Sequence, residues 1–146
     1  PLEVMEFGCK TGPISFNVKN KISDGLLVDD SDETIKELAK KLSDRNITNI
    51  QTYSGDILTS DFDREFDVIY SAMTMHHIVD FKPVLTKLVS YLKPNGKLII
   101  VDLLPDNGDF HCNHEEFDGH HGFTISEMSE ILTEMLPSFA ATIPLS

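Results

Sequence analysis

Near the start of the chain an acid and two glycines stand together: Glu6 follows the apolar pair Val4-Met5, and Gly8 and Gly12 come before Pro13. An apolar run that breaks into glycines and a proline predicts a buried parallel strand, a tight turn and a helix. Gly8 and Gly12 remove a Cβ where the backbone must bend or let a ligand approach, and Pro13 suits the first helical position. The helix N-terminus beyond the turn would offer N–H groups to a carboxylate or phosphate. Asp29 closes a second apolar run, Leu26-Leu27-Val28. It follows Glu6 at roughly the 20-residue offset at which doubly wound folds place an acid to grip a ribose hydroxyl. His76 carries an imidazole whose pKa range suits a general base, whereas His77 is read as an anchor of the loop. His111, Cys112, His114, His120 and His121 are zinc-ligand types. Their spacing matches no finger or ribbon, so no metal is expected.

The elements that must position these groups alternate. After the turn a helix is expected over 14–21, ended by Ser23-Asp24-Gly25, and then a short strand over 26–28. Ser31 can cap the next helix, with Asp32 and Glu33 in its first turn and Ile35, Leu38, Ala39 and Leu42 on one face. A third strand over 47–53 leads to Gly55 and Asp56, and a fourth covers 66–70. Asp80 is placed as the cap of a helix whose apolar face is Leu85, Leu88, Val89 and Leu92. Lys93-Pro94-Asn95-Gly96 then reads as a stop, and 96–102 as a fully buried fifth strand. A polar loop over 105–122 precedes a last helix, which opens in capping-box form at Thr124 and Glu127, carries Met128, Ile131, Leu132 and Met135, and ends at Pro137. Strands alternating with helices predict an α/β, doubly wound, mainly parallel sheet with helices on both faces.

Three stretches together carry a family likeness: Glu6-x-Gly8-x-Lys10-x-Gly12, Phe66-Asp67-Val68-Ile69, and Leu92-Lys93-Pro94-Asn95-Gly96-Lys97-Leu98. In these the chain resembles the class I S-adenosylmethionine (SAM) dependent methyltransferases, specifically the small-molecule type that includes quinone-biosynthesis enzymes. The resemblance implies a Rossmann-like sheet and SAM as cofactor, with S-adenosylhomocysteine (SAH) as product. It implies that Glu6 holds the methionine amino group and that Phe7, Gly8, Cys9 and Gly12 pass under the cofactor. Asp29 and Asp30 would take the ribose, Asp56 and Ile57 the adenine, and Ser71, Ala72 and Met73 would frame the sulfonium. His76 would stand near the methyl acceptor as the catalytic base. Lys10 replaces the middle glycine of the family motif. If the turn needs a positive φ there, lysine costs about 1 to 2 kcal/mol. Its ammonium would also sit near the cationic sulfonium, so weakened SAM affinity with a relative preference for SAH is expected.

The likeness further implies a lid helix ahead of the first strand and a terminal strand hairpin, of which only 139–143 could form a part. A methyltransferase-like binding or scaffold protein, disabled by Lys10, is the alternative. A nicotinamide oxidoreductase ranks below it, since Gly8, Lys10 and Gly12 do not spell Gly-x-Gly-x-x-Gly.

Composition sets the outer bounds. The 146 residues suit one domain, and 40% hydrophobic with 25% charged residues is ordinary for a globular chain. A net charge of -12, from 24 acids against 12 Lys and Arg, opposes a nucleic acid backbone and favours a small molecule, ahead of a protein, as the acceptor. The longest apolar run, 98–104, is broken by Asp102 and is far shorter than the roughly 20 residues that cross a bilayer. Neither a membrane partner nor a signal peptide is expected, and two cysteines suggest a reducing cytoplasm.

Overall fold

A computed structural model describes residues 2–102 and 125–135. The chain divides into two compact units, Pro1–Thr74 with Asp80–Val101, and Met75–Val79 with Asp102–Ser146. The first unit holds strands β1 (Leu2–Phe7), β2 (Ile22–Asp29), β3 (Ile50–Ser54), β4 (Phe66–Ala72) and β5 (Leu92–Val101). Between them run helices α1 (Pro13–Val18), α2 (Asp32–Asp44) and α3 (Lys82–Ser90). All four strand pairings are parallel, in the order β3-β2-β1-β4-β5. With right-handed crossovers this order places α1 and α2 on one face of the sheet and α3 on the other. The winding reverses between β1 and β4, which defines the switch point of a Rossmann-like fold. In the second unit, α4 (Ile125–Met135) is the described helix, and Met128, Ile131 and Leu132 are half-buried along it.

Burial explains the elements. Leu38 and Leu42 of α2 pack with Leu27, Ile50 and Cys9, and Ile47 leans on the same cluster. Val4, Ile22 and Tyr70 form a second cluster with Ile14 and Val18 of α1 against it. Ser31 caps α2, its side chain accepting from Thr34 N at 3.3 Å. At the other end Asn46 takes φ +55, Ile47 N donates to Leu42 O at 2.9 Å and Asn46 N to Ser43 O at 3.1 Å. That pair of bonds is a Schellman cap, and it assigns Ile47 to the end of α2.

Several expected boundaries shift for physical reasons. The third strand starts at Ile50, because the chain up to Ile47 belongs to the helix cap. Ser23-Asp24-Gly25 is not a turn but part of β2, where the register moves from Leu2↔Ile22 to Glu3↔Asp24 and leaves Ser23 as the extra residue. Gly25 serves packing: a Cβ there would stand 3.2 Å from Ile50 Cγ1. Ala39 is exposed, so the buried stripe of α2 is Ile35, Leu38 and Leu42. Asp80 lies outside the cap of α3, which falls on buried Phe81 and has no side-chain bond. The apolar face of α3 is Val84, Leu85 and Leu88; Val89 is half-buried and Leu92 belongs to β5.

The fifth strand starts at Leu92, earlier than the proline and glycine predict, since Phe66 N donates to Tyr91 O at 2.8 Å and Phe66 pairs with Leu92. The ladder resumes at Val68↔Lys97, so Pro94, Asn95 and Gly96 are bulged out. Nor is β5 fully buried: Ile99 and Val101 are 45% and 53% exposed, because among the described strands β5 is an edge. The polar loop over 105–122, Thr124 of the capping box, Pro137 and the segment 139–143 lie outside the described residues.

Candidate active site

The switch point lies where β1 and β4 end side by side, and the glycine turn fills its floor. Gly8 N and Cys9 N both donate to Val28 O, at 2.9 and 3.2 Å, which ties the turn to β2. Gly12 N then closes on Cys9 O at 2.6 Å. Gly8, Lys10 and Gly12 all have positive φ, at +67°, +48° and +67°. At Gly8 a Cβ would drive into the Thr74 side chain, so the glycine admits the loop after β4. Gly12 is the left-handed N-cap of α1, and a Cβ on it would lie 3.1 Å from the Phe16 ring.

Glu6 points into the protein rather than out of it, at 2% exposure. Its Oε1 accepts from Ser15 N at 3.1 Å and from Ser15 Oγ at 2.7 Å, and Ser15 Oγ lies 2.5 Å from Tyr70 Oη. Among the described residues Oε2 makes no hydrogen bond. Burial raises the Glu6 carboxyl above the usual carboxylate range, and the two Ser15 bonds pull it partly back. Burial likewise pushes Tyr70 up to about 12. Glu6 therefore caps α1 from a neighbouring strand. With Ser15 N taken, Phe16 N bonded to Gly12 O and Pro13 lacking an N–H, little of the helix N-terminus is free for an anion.

Asp29 is the second organiser. Its Oδ2 accepts from Lys10 N at 3.1 Å and its Oδ1 from Ser31 N at 3.0 Å, while its carbonyl accepts from Gly55 N at 2.9 Å. One residue thus joins the turn, the start of α2 and the end of β3. A carboxylate has about four lone-pair sites, so two remain for hydroxyl donors. Asp30, beside it, is exposed, and its carboxyl is raised first by partial desolvation and then by the Asp29 and Asp56 charges. Asp56 is exposed and caps the short 3-10 turn Ile57–Thr59, its Oδ1 accepting from Leu58 N at 2.9 Å.

The loop after β4 comes across the crevice. Met73 has φ +58°, Thr74 Oγ1 donates to Gly8 O at 3.3 Å, and Lys10 Nζ donates to Met73 O at 3.1 Å. Among the described residues, the hydroxyl of Ser71, at 1% exposure, has no hydrogen-bond partner.

Residues 2–135 match the family model described as "Methyltransferase domain". The chain belongs to this methyltransferase domain family. It is 29% identical over 120 residues to an uncharacterized methyltransferase of Schizosaccharomyces pombe, covering 77% of this chain and 42% of the yeast protein. It is also 29% identical over 98 residues to the uncharacterized Escherichia coli protein YafE, covering 66% of this chain and 47% of that protein. The chain therefore spans less than half the length of these curated relatives. Among solved structures, YcgJ of Bacillus subtilis superposes with a TM-score of 0.78 at 18% identity, over 92% of this chain and 61% of the other.

In this methyltransferase domain the residues singled out from sequence fall into three groups. The turn 8–12, Asp29 and Met73 are in direct contact through the bonds just described. Asp30 and Asp56 join by charge. Cys9, Phe7 and Ile57 turn buried side chains to the interior, and burial, with Asp29 and Glu6 adding to it, pushes the Cys9 thiol up to about 12. A neutral thiol in a core is packing, not a nucleophile. Ala72 ends β4, and His76 lies on the 3-10 turn Met75–His77 of the second unit. Sequence reasoning missed Ser15, Tyr70 and Thr74. Ser15 had a usable signal, since it stands at the third helical position after Gly12, where an orphan N–H seeks an acceptor.

Proposed function

We propose that this domain binds SAM across the carboxyl ends of β1 to β4 and transfers its methyl group to a small-molecule acceptor. The observation that carries the reading is Asp29, a buried acid that fastens the glycine turn to the switch point and keeps lone pairs for a diol. The donor set fits the adenosine half of the cofactor. Asp29 and Asp30 would take the ribose hydroxyls, and Asp56 the adenine amino group through Oδ2, its other oxygen being engaged with Leu58 N. Ile57 would support the ring edge from the core. Glu6, buried beside α1, would reach the methionine amino group from Oε2 through a water. The backbone of Phe7, Gly8, Cys9 and Gly12 would underlie the cofactor, with Ser71, Ala72 and Met73 beside its sulfur.

When bound, SAM supplies a methyl already activated on a sulfonium, so the chain's own work is to orient and to exclude water. His76 is assigned as the base that relieves the acceptor of its proton. A small acceptor is supported by the net charge of -12 and by a likeness, TM-score 0.62 at 21% identity over 68% of this chain and 30% of the other, to a coclaurine N-methyltransferase bound to N-methylheliamine and SAH. We read the two units as parts of one domain, in line with a family match that spans both. No helix among the described residues is long and apolar enough to cross a membrane. With two cysteines, one of them buried, a reducing cytoplasm is the assigned compartment.

Isothermal titration with SAM and SAH tests this directly. Micromolar affinity, about -8 kcal/mol, is expected. Asp56→Asn keeps an oxygen for Leu58 N but turns an amide donor toward the adenine amino group, and should weaken both ligands about tenfold. Absence of binding by the unmodified chain, or full affinity in the variant, contradicts the assignment.

A further inference from the structure

Lys10 is the residue least suited to its place. It holds a left-handed conformation that disfavours any side chain, at φ +48°, and it reaches across the switch-point crevice to the carbonyl of Met73, itself at φ +58°. Its backbone N–H is spoken for by Asp29 Oδ2. The side chain is exposed and, among the described residues, bonds only that one carbonyl and meets no carboxylate. A ligand lying between the turn and the loop after β4 must pass this ammonium. The rest of the rim is acidic, with Asp29, Asp30 and Asp56 all toward β2 and β3. The site is thus polarised along its length, negative under one half of a ligand and positive at the crevice between β1 and β4.

We propose that Lys10 is a specificity-determining residue that selects ligands by the charge they carry at the crevice, so that the neutral thioether SAH is held in preference to the cationic sulfonium SAM. The proposal rests on the SAM reading above. Like charges about 10 Å apart at the effective dielectric of a protein surface repel by enough to account for a tenfold change in affinity.

The test is titration of SAM and SAH into the full chain and into Lys10→Met and Lys10→Arg. All three side chains share the left-handed strain and similar reach, so differences among them report charge. The ratio of the SAM Kd to the SAH Kd is expected to fall about tenfold in Lys10→Met and to stay unchanged in Lys10→Arg. An equal ratio in Lys10→Met and the unmodified chain, with both ligands bound, overturns charge selection while leaving the SAM site standing. Recovery of both ligands together in Lys10→Met, where the unmodified chain binds neither, also overturns it, because a steric block acts on both alike. Failure of all three proteins to bind either ligand removes the SAM reading and this inference with it.

Discussion

At the residue scale, Gly8 meets the most demanding geometry in the molecule. Its φ of +67° disfavours a Cβ, and its contact with Thr74 leaves no room for one. Gly8→Ala should therefore lose about 1 to 2 kcal/mol from the left-handed backbone alone. The clash adds to that, and cofactor binding should be lost. An unchanged urea midpoint would contradict this. Glu6 makes a pH prediction. Burial holds its folded-state pKa above the ordinary 4.5, so the folded chain binds that proton more tightly than the unfolded one. Stability from this group is fully present below the unfolded value and lost as pH rises through the folded one. Glu6→Gln cannot ionise, and its amide oxygen can still accept from Ser15. Its urea midpoint should fall less than that of the unmodified chain as pH rises above the ordinary carboxyl value. Parallel curves would show that Glu6 carries no such cost. The sequence made Gly8, Gly12 and Asp29 legible because their constraints are local: a turn, a cap and a strand end. The hydroxyls of Ser15 and Tyr70 were not legible, since they gain meaning only when α1 folds back beside Glu6; of Ser15 only the orphan N–H at the third helical position could be read.

At the element scale, α2 shows what periodicity fixes and where it stops. Ile35, Leu38 and Leu42 are buried at helical spacing, whereas Ala39 is exposed although its position fits the same stripe. Alanine is too weakly hydrophobic for its face to be read from pattern alone. Leu38→Ala, at 2% exposure, should cost about 2 to 5 kcal/mol, and Ala39→Lys should stay within about 0.5 kcal/mol. Chemical denaturation of the pair checks the phase of the helix; comparable losses would put Ala39 in the core after all. The misplaced boundaries of β2 and β5 share one cause. Gly25 and Gly96 look like punctuation, but the ladder runs through Gly25 and resumes just past Gly96, which sits in a bulge, with a register shift beside each. A ladder is a non-local object, and no window along one strand contains its partner.

At the scale of the whole molecule, strand order does the functional work. The order β3-β2-β1-β4-β5 brings the turn after β1 against the loop after β4, and sets the acids after β2 and β3 to one side. The alternation of elements made a doubly wound parallel sheet legible in advance, whereas the strand order itself is read only from the fold. The opposite end is built differently. There Lys93 Nζ pairs with Glu3 Oε2 at 3.1 Å and Asp67 Oδ2 at 3.4 Å, and Asp67 also accepts from Glu3 N at 2.9 Å. These half-buried ion pairs hold strand ends.

The most direct test of the central claim is a backbone amide chemical-shift map of the full chain on titration with SAH. Binding at the switch point predicts shifts clustered at residues 8–12, 29–31, 55–58 and 71–74, with Glu3, Asp67 and Lys93 unmoved. A map that stays silent at millimolar ligand, or that clusters at Glu3, Asp67 and Lys93, would contradict the account.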